Sequence, residues 1–230
     1  MSNGKTIEIS KGFTGYLSRP EGGTGPGLLI YHAVFGVNDV LRAVADSYAA
    51  KGYVVLCPDM FWRQEPGVEL SESKEADVMH GLELFRAFDM EKGKGDLATA
   101  LSTLRAHDAC NGKVGCLGFC FGGRMAYMMA AHTDVDVAVS YYGTAIENHL
   151  DDAPKVGRPL MLHLAGRDRF VPKEAQDAIS GALGGNPAVQ IFVYEDMDHA
   201  FAREGSSGYD QTNADLANAR TEAFLAEALL

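Results

Sequence analysis

Short apolar runs alternate along this chain with longer stretches in which apolar residues return every three or four positions. Leu28-Leu29-Ile30-Tyr31 is a continuous apolar run, as expected of a strand buried on both faces. Over residues 39–51, Leu41, Val44, Ala45 and Tyr48 recur at helical spacing, and Gly52 supplies a stop. Residues 53–57 read as the next strand, ended by Pro58, and helices follow over roughly 71–90 and 96–107. Asn111-Gly112 marks a turn before a strand at 114–117, then a helix at 123–132 and a strand at 137–141. Strands at 160–164 and 191–194 flank a helix near 173–183, and a closing helix carries Leu216, Ala219, Ala223 and Phe224 on one face. The Gly-rich stretch 21–27 reads as a turn or hairpin.

Apolar strands alternating with amphipathic helices predict an α/β fold, a mostly parallel central sheet with helices on both faces. Neither repeats nor low-complexity linkers divide the sequence, so residues 1–230 are expected to form a single domain. Hydrophobic residues at 47% and charged residues at 22% exclude a disordered or fibrous chain. The net charge of -11 disfavours nucleic acid and anionic membrane as partners. The polar residues 1–10 lack the apolar core of a signal peptide, and no apolar run approaches bilayer length. Cys57, Cys110, Cys116 and Cys120 lie in or beside apolar segments, unlike a secreted disulfide framework. Together these features predict a cytoplasmic protein with reduced thiols.

In a parallel sheet, sites form at the carboxyl ends of strands. After the strand ending at Leu117 comes Gly118-Phe119-Cys120-Phe121-Gly122-Gly123, the pattern of a nucleophile elbow with cysteine as nucleophile. A nucleophile held in a tight strand-to-helix turn needs neighbours with almost no side chain. The following helix directs its N-terminal amides and dipole at Cys120, which favours a thiolate and a developing oxyanion. Neither a Gly-x-Gly-x-x-Gly nor a Gly-Lys-Ser/Thr sequence is present here, so nucleotide binding fits poorly. Asp168 follows the strand ending at Leu164, and His199 follows the strand ending at Tyr194. Nucleophile, acid and histidine in that chain order, each after a strand, match the arrangement of hydrolases of this topology.

Further matches are dispersed along the chain. They include Phe35-Gly36-Val37-Asn38, Cys57-Pro58-Asp59, Ala87-Phe88-Asp89-Met90, Tyr141-Tyr142-Gly143, Phe170-Val171-Pro172, Phe201-Ala202-Arg203 and Ser206-Ser207-Gly208-Tyr209. With these the chain resembles the dienelactone hydrolase family, the carboxymethylenebutenolidase-like Cys-His-Asp branch of the α/β-hydrolases. The resemblance implies a single α/β-hydrolase domain, a carboxylic ester or lactone hydrolase, and a triad of Cys120, Asp168 and His199. Attack by the Cys120 thiolate would give an acyl thioester, with Asp168 fixing the imidazole tautomer. The backbone N–H groups of Phe121 and Val34 are the expected oxyanion donors. Arg203, Phe35 and Ala33 are expected to line the substrate site. Ala33 stands where the family carries a glutamate that restrains the resting thiol, and Val78 where it carries a second arginine that binds the substrate carboxylate. Dienelactone itself is therefore not the expected substrate, and Cys120 is expected to be more thiolate-like at rest.

Other residues leave bland readings open. His32 is either a substitute ionisable group beside Ala33 or a hydrogen-bonded strand-end histidine. Cys116 is expected to be a small core residue rather than a redox partner of Cys120. Phe61 with Trp62, and Phe35 with Phe85, either wall a pocket or pack in the core. The seven histidines are scattered, with no His-x-x-x-His and no Cys-x-x-Cys, so neither metal nor cofactor is expected. The expected partner is a small-molecule ester or lactone, and the expected state a monomer. A non-catalytic sensor of a small acid or lactone on the same fold is the alternative, and thiol peroxidase or disulfide exchange at Cys120 a third reading.

Overall fold

Two strands that the hydrophobic pattern leaves unmarked open the structure, a computed structural model describing residues 4–230. Residues 1–3, part of the N-terminal segment read above, lie outside the described residues. Strand β1 (Lys5–Ser10) is largely exposed and pairs antiparallel with the buried β2 (Phe13–Ser18). Lys5 and Glu8 on an exposed strand suit a sheet edge, where charge discourages further pairing. β3 (Gly25–Tyr31) starts inside the Gly-rich stretch, which is a turn only up to Gly23.

The chain divides into two compact units, Met1–Cys116 and Leu117–Leu230. In the first, α1 (Asp39–Ala50) is capped by Asn38, whose side chain accepts from the Leu41 N–H. β4 (Val54–Pro58) follows, and strand order there is β1-β2-β4-β3, with β4 parallel to β3 and antiparallel to β2. Leu28, Leu29, Ile30, Val54, Val55 and Leu56 are all fully buried, which is why their sequences read as unbroken apolar runs. The two helices expected over 71–90 and 96–107 are α2 (Glu75–Arg86) and α3 (Met90–Arg105). α3 begins at Met90, six residues before the expected start at 96, and Asp89 caps it, its carboxylate accepting from the Glu91 and Lys92 N–H groups. Gly93 and Gly95 interrupt the apolar spacing of that first turn. β5 (Cys110–Phe119) runs through the expected Asn111-Gly112 turn, which survives as a local kink with Gly112 at φ 96°.

The second unit holds α4 (Phe121–His132), β6 (Val137–Tyr141), a 3₁₀ segment (Ile146–Lys155), β7 (Leu160–Ala165), α5 (Lys173–Leu183), β8 (Val189–Tyr194) and α6 (Gln211–Leu229). β6, β7 and β8 are consecutive parallel neighbours, so the ends of β7 and β8 fall side by side. The expected apolar face of α6 is corrected. Leu216, Ala219 and Ala223 are exposed and Phe224 half-buried, whereas Ala214, Ala217, Thr221, Leu225 and Leu229 are buried. The reason is polar. Thr221 Oγ1 lies 2.6 Å from the Tyr141 hydroxyl and 3.0 Å from His163 Nε2, so the helix turns the face that carries this threonine inward, with Ala217 and Leu225 on either side of it. Tyr194 and Thr221 occupy both ring nitrogens of His163, and burial pushes its pKa down to about 3.

Candidate active site

The second unit brings Cys120, Asp168 and His199 together. Cys120 joins β5 to α4 at φ 57° and ψ −113°, a backbone geometry that costs a residue with a Cβ on the order of 1–3 kcal/mol. The glycines around it are steric necessities. A Cβ on Gly118 would collide with the Gly122 carbonyl, and one on Gly123 would stand 2.7 Å from Gly143 Cα. Backbone bonds hold the bend: the Cys120 N–H donates to Tyr141 O at 3.0 Å, and the Thr144 N–H to Cys120 O at 3.2 Å.

The acid sits on the loop after β7. Asp168 is 4% exposed, and Oδ1 accepts from the Phe170 N–H at 2.8 Å and the Val171 N–H at 3.3 Å. Oδ2 faces His199 Nδ1 at 2.7 Å. Gln176, buried on α5, pins this loop by donating to Ala165 O and Val171 O. The loop is tied to the one after β8 by the Arg167 N–H donating to Met197 O, at 2.9 Å. There a Cβ on Gly166 would collide with Glu195, so only glycine permits the approach. The histidine turn is closed by the Ala200 carbonyl, at φ 64°, which accepts from the Arg203 N–H at 3.0 Å and the Ser206 hydroxyl at 2.8 Å.

With Nδ1 committed to Asp168, the imidazole presents Nε2 for its hydrogen bond with Cys120. Two aromatic edges fix the ring plane, Phe170 at 4.8 Å and Tyr142 at 4.9 Å between centroids. Burial lowers the His199 pKa, but the Cys120 charge and the Asp168 bond outweigh it and carry it up to about 9. Burial likewise raises the Cys120 thiol, yet His199, the Phe121 N–H and the Thr144 hydroxyl bring the net shift below the ordinary thiol value. The arrangement can therefore hold a thiolate–imidazolium pair at neutral pH, with a backbone N–H aimed at the sulfur.

Thr144 and Arg124 carried no signal in the sequence reading, and Phe170 stood there only within the Phe170-Val171-Pro172 match, with no role at the imidazole. Thr144 and Phe170 are placed by turns whose course the residue pattern does not specify. Arg124 lies on the first turn of α4, where its guanidinium stands 5.3 Å from the Phe121 ring centroid. Burial brings its pKa down to about 10 against the opposing influence of Cys120 and Glu147, so it stays charged at neutral pH. Its position four residues after Cys120, one helical turn on, was the available clue.

Ala33, Val34 and Phe35 belong to the first unit, after β3, where Val34 and Phe35 are buried. His32 beside them is buried and fully engaged. Its Nδ1 lies 2.6 Å from Ala33 O, and Nε2 accepts from the Met60 N–H at 3.0 Å. Burial lowers its pKa against the pull of Ala33 O and Asp59, and the two bonds define a neutral tautomer, the strand-end reading of that residue. Trp62 stacks on Phe13 at 5.3 Å, and the Phe61 ring lies edge-on to His32. Cys57, Cys110, Cys116 and Cys120 are all free, with Cys116 fully buried. Among the described residues no three His, Cys, Asp or Glu side chains are grouped to hold a metal ion. No helix among them is long and apolar enough to cross a membrane.

The sequence model of the dienelactone hydrolase family matches residues 13–229. The chain belongs to the dienelactone hydrolase family. Membership places it among enzymes that hydrolyse lactones and esters. A carboxymethylenebutenolidase of Pseudomonas putida is 39% identical over 228 residues, covering 98% of this chain and 97% of that one. A carboxymethylenebutenolidase of Cupriavidus pinatubonensis is 34% identical with the same coverage. Among solved structures, a dienelactone hydrolase from Anabaena variabilis superposes with a TM-score of 0.70 at 20% identity, covering 99% of this chain and 98% of that one. A Klebsiella pneumoniae protein provisionally assigned the same activity gives 0.85 at 24% identity, covering 97% and 98%. These structures establish the α/β-hydrolase fold for this dienelactone hydrolase family member.

Proposed function

We propose that this protein hydrolyses a small carboxylic ester or lactone through a Cys120 thioester. The observation that carries the reading is the 2.7 Å contact between Asp168 Oδ2 and His199 Nδ1, which turns the other imidazole nitrogen to Cys120. In the proposed sequence the Cys120 thiolate adds to the substrate carbonyl, forming a C–S bond while the carbonyl electron pair moves to oxygen. The Phe121 N–H stabilises that oxyanion. Collapse breaks the C–O bond, and the departing alkoxide takes its proton from His199. Water then adds to the thioester with His199 accepting its proton, and the thiolate is expelled to regenerate the resting pair. Asp168 keeps its hydrogen bond to Nδ1 and supports the charge on the imidazole.

The substrate class follows from the curated relatives, which are carboxymethylenebutenolidases. Dienelactone is not the substrate we propose, because Ala33 and Val78 stand in place of the glutamate and the second arginine of the family. We treat residues 1–230 as one catalytic domain, a reading supported by a family match that runs unbroken from 13 to 229.

A panel of activated esters and small lactones tests the function. Saturable turnover is expected, whereas saturable binding without product would instead identify a sensor of a small acid or lactone. The pH profile is a second test. His199 titrates near 9 when paired with the thiolate, so kcat/KM should fall on the alkaline side with an apparent pKa of about 9 as the proton for the leaving alkoxide is lost. The acid limb should lie below the ordinary thiol value of about 8.5, since the thiolate forms early. A rate that rises only through about pH 8.5, as a free cysteine ionises, and then levels with no alkaline fall would contradict the paired state.

A further inference from the structure

The sulfur of Cys120 faces a hydroxyl as well as an imidazole. Thr144 Oγ1 lies 4.0 Å from Cys120 Sγ, within the range of a hydrogen bond to sulfur. Thr144 is 6% exposed, on the segment between β6 and the 3₁₀ segment Ile146–Lys155. That segment is held in an unusual course. Tyr142 at φ 38° and Ala145 at φ 60° flank it, both left-handed and neither glycine. Such geometry persists only where the surroundings enforce it. Here the two backbone bonds between Cys120 and the Tyr141 and Thr144 peptides do so, together with the close approach of Gly143 to Gly123. The Thr144 backbone is thereby fixed relative to the bend that carries the sulfur, and its hydroxyl is presented from that fixed position.

We propose that Thr144 is a positioning residue whose hydroxyl donates to the Cys120 thiolate, holding the sulfur toward His199 before substrate arrives. The inference rests on Cys120 being the nucleophile. A hydroxyl donor is shaped for this step because it favours charge on sulfur and has no charge of its own to compete for the imidazole. When the C–S bond forms, sulfur loses its charge and the bond slackens. When the thioester collapses the charge returns and the bond reforms, so the same contact assists expulsion of the thiolate from the second tetrahedral intermediate. Thr144 also stands among the groups that hold the thiol below its ordinary pKa.

The test is the pH dependence of Cys120 alkylation by iodoacetamide, with the modified peptide identified by mass. Thr144→Val keeps the shape and removes the donor. Its alkylation midpoint is expected to rise by about one pH unit, a roughly tenfold loss of thiolate at pH values below the midpoint. Thr144→Ser should restore the wild-type midpoint. An unmoved midpoint in Thr144→Val, or a Thr144→Ser midpoint raised to the same extent, would overturn the proposal. Should the valine variant not fold, Thr144→Ala removes the same hydroxyl and gives the same comparison. Turnover by Cys120→Ala separates this from the nucleophile reading. Retained turnover sinks that reading, while its loss together with an unmoved Thr144→Val midpoint sinks only the role of the hydroxyl.

Discussion

Cys120→Ala is expected to lower ester or lactone turnover by on the order of 10⁵-fold, with the thermal transition close to wild type. The effect is large because alanine offers no atom that can form the covalent intermediate. The remaining rate would come from binding and from the backbone donor at Phe121, which are independent of the sulfur. Alanine also tests the interpretation cleanly. It accepts the φ of 57° with the same strain as cysteine, so the fold has no new reason to fail. Cys120→Ser is a harsher comparison. The hydroxyl's far higher pKa leaves it protonated beside His199, so the resting ion pair disappears and an alcohol must be deprotonated during attack. Turnover by the alanine variant within about tenfold of wild type would be incompatible with nucleophilic catalysis at Cys120.

Asp168→Asn is expected to have the second largest effect, a loss on the order of 10⁴-fold in kcat with little change in KM. Two properties of Asp168 produce it. The carboxylate accepts from His199 Nδ1 at 2.7 Å and so fixes which nitrogen faces the sulfur. It also contributes to the rise of the His199 pKa to about 9. An asparagine can keep the Phe170 and Val171 amide bonds through its carbonyl, but its NH₂ would then confront Nδ1 and favour the wrong tautomer. The alkaline limb of kcat/KM should move down toward the ordinary histidine value of about 6.5 at the same time. A variant that keeps both its rate and its alkaline limb would show that the buried carboxylate merely packs.

How much of this was legible in the sequence differs between elements for physical reasons. β6 and α5 coincide with the stretches read from residue pattern, because a fully buried strand leaves a near-continuous apolar run and a helix with one apolar face leaves a periodic one. β1 left none, since an exposed edge strand has no reason to be apolar. The face of α6 was misread because hydrophobicity alone placed Leu216 inward, whereas the interior at that point is a polar network that demands Thr221. The separations between Cys120, Asp168 and His199 were readable only as positions after strands. Parallel register then brings the ends of β7 and β8 side by side, which composition cannot express. Thr144, Arg124 and the contact of Phe170 with the imidazole escaped for a related reason. Their relation to the sulfur and the imidazole depends on left-handed turns and on a helical offset, with no residue type that announces chemistry. His32 had two open readings, and its two hydrogen bonds select the structural one.

The most direct measurement of the central claim is intact mass after an acid quench of enzyme mixed with an activated ester. A covalent acyl group should be found on the peptide bearing Cys120, released by hydroxylamine and absent from Cys120→Ala. Steady turnover with no adduct on that peptide, or an adduct on another residue that persists in Cys120→Ala, would contradict the account.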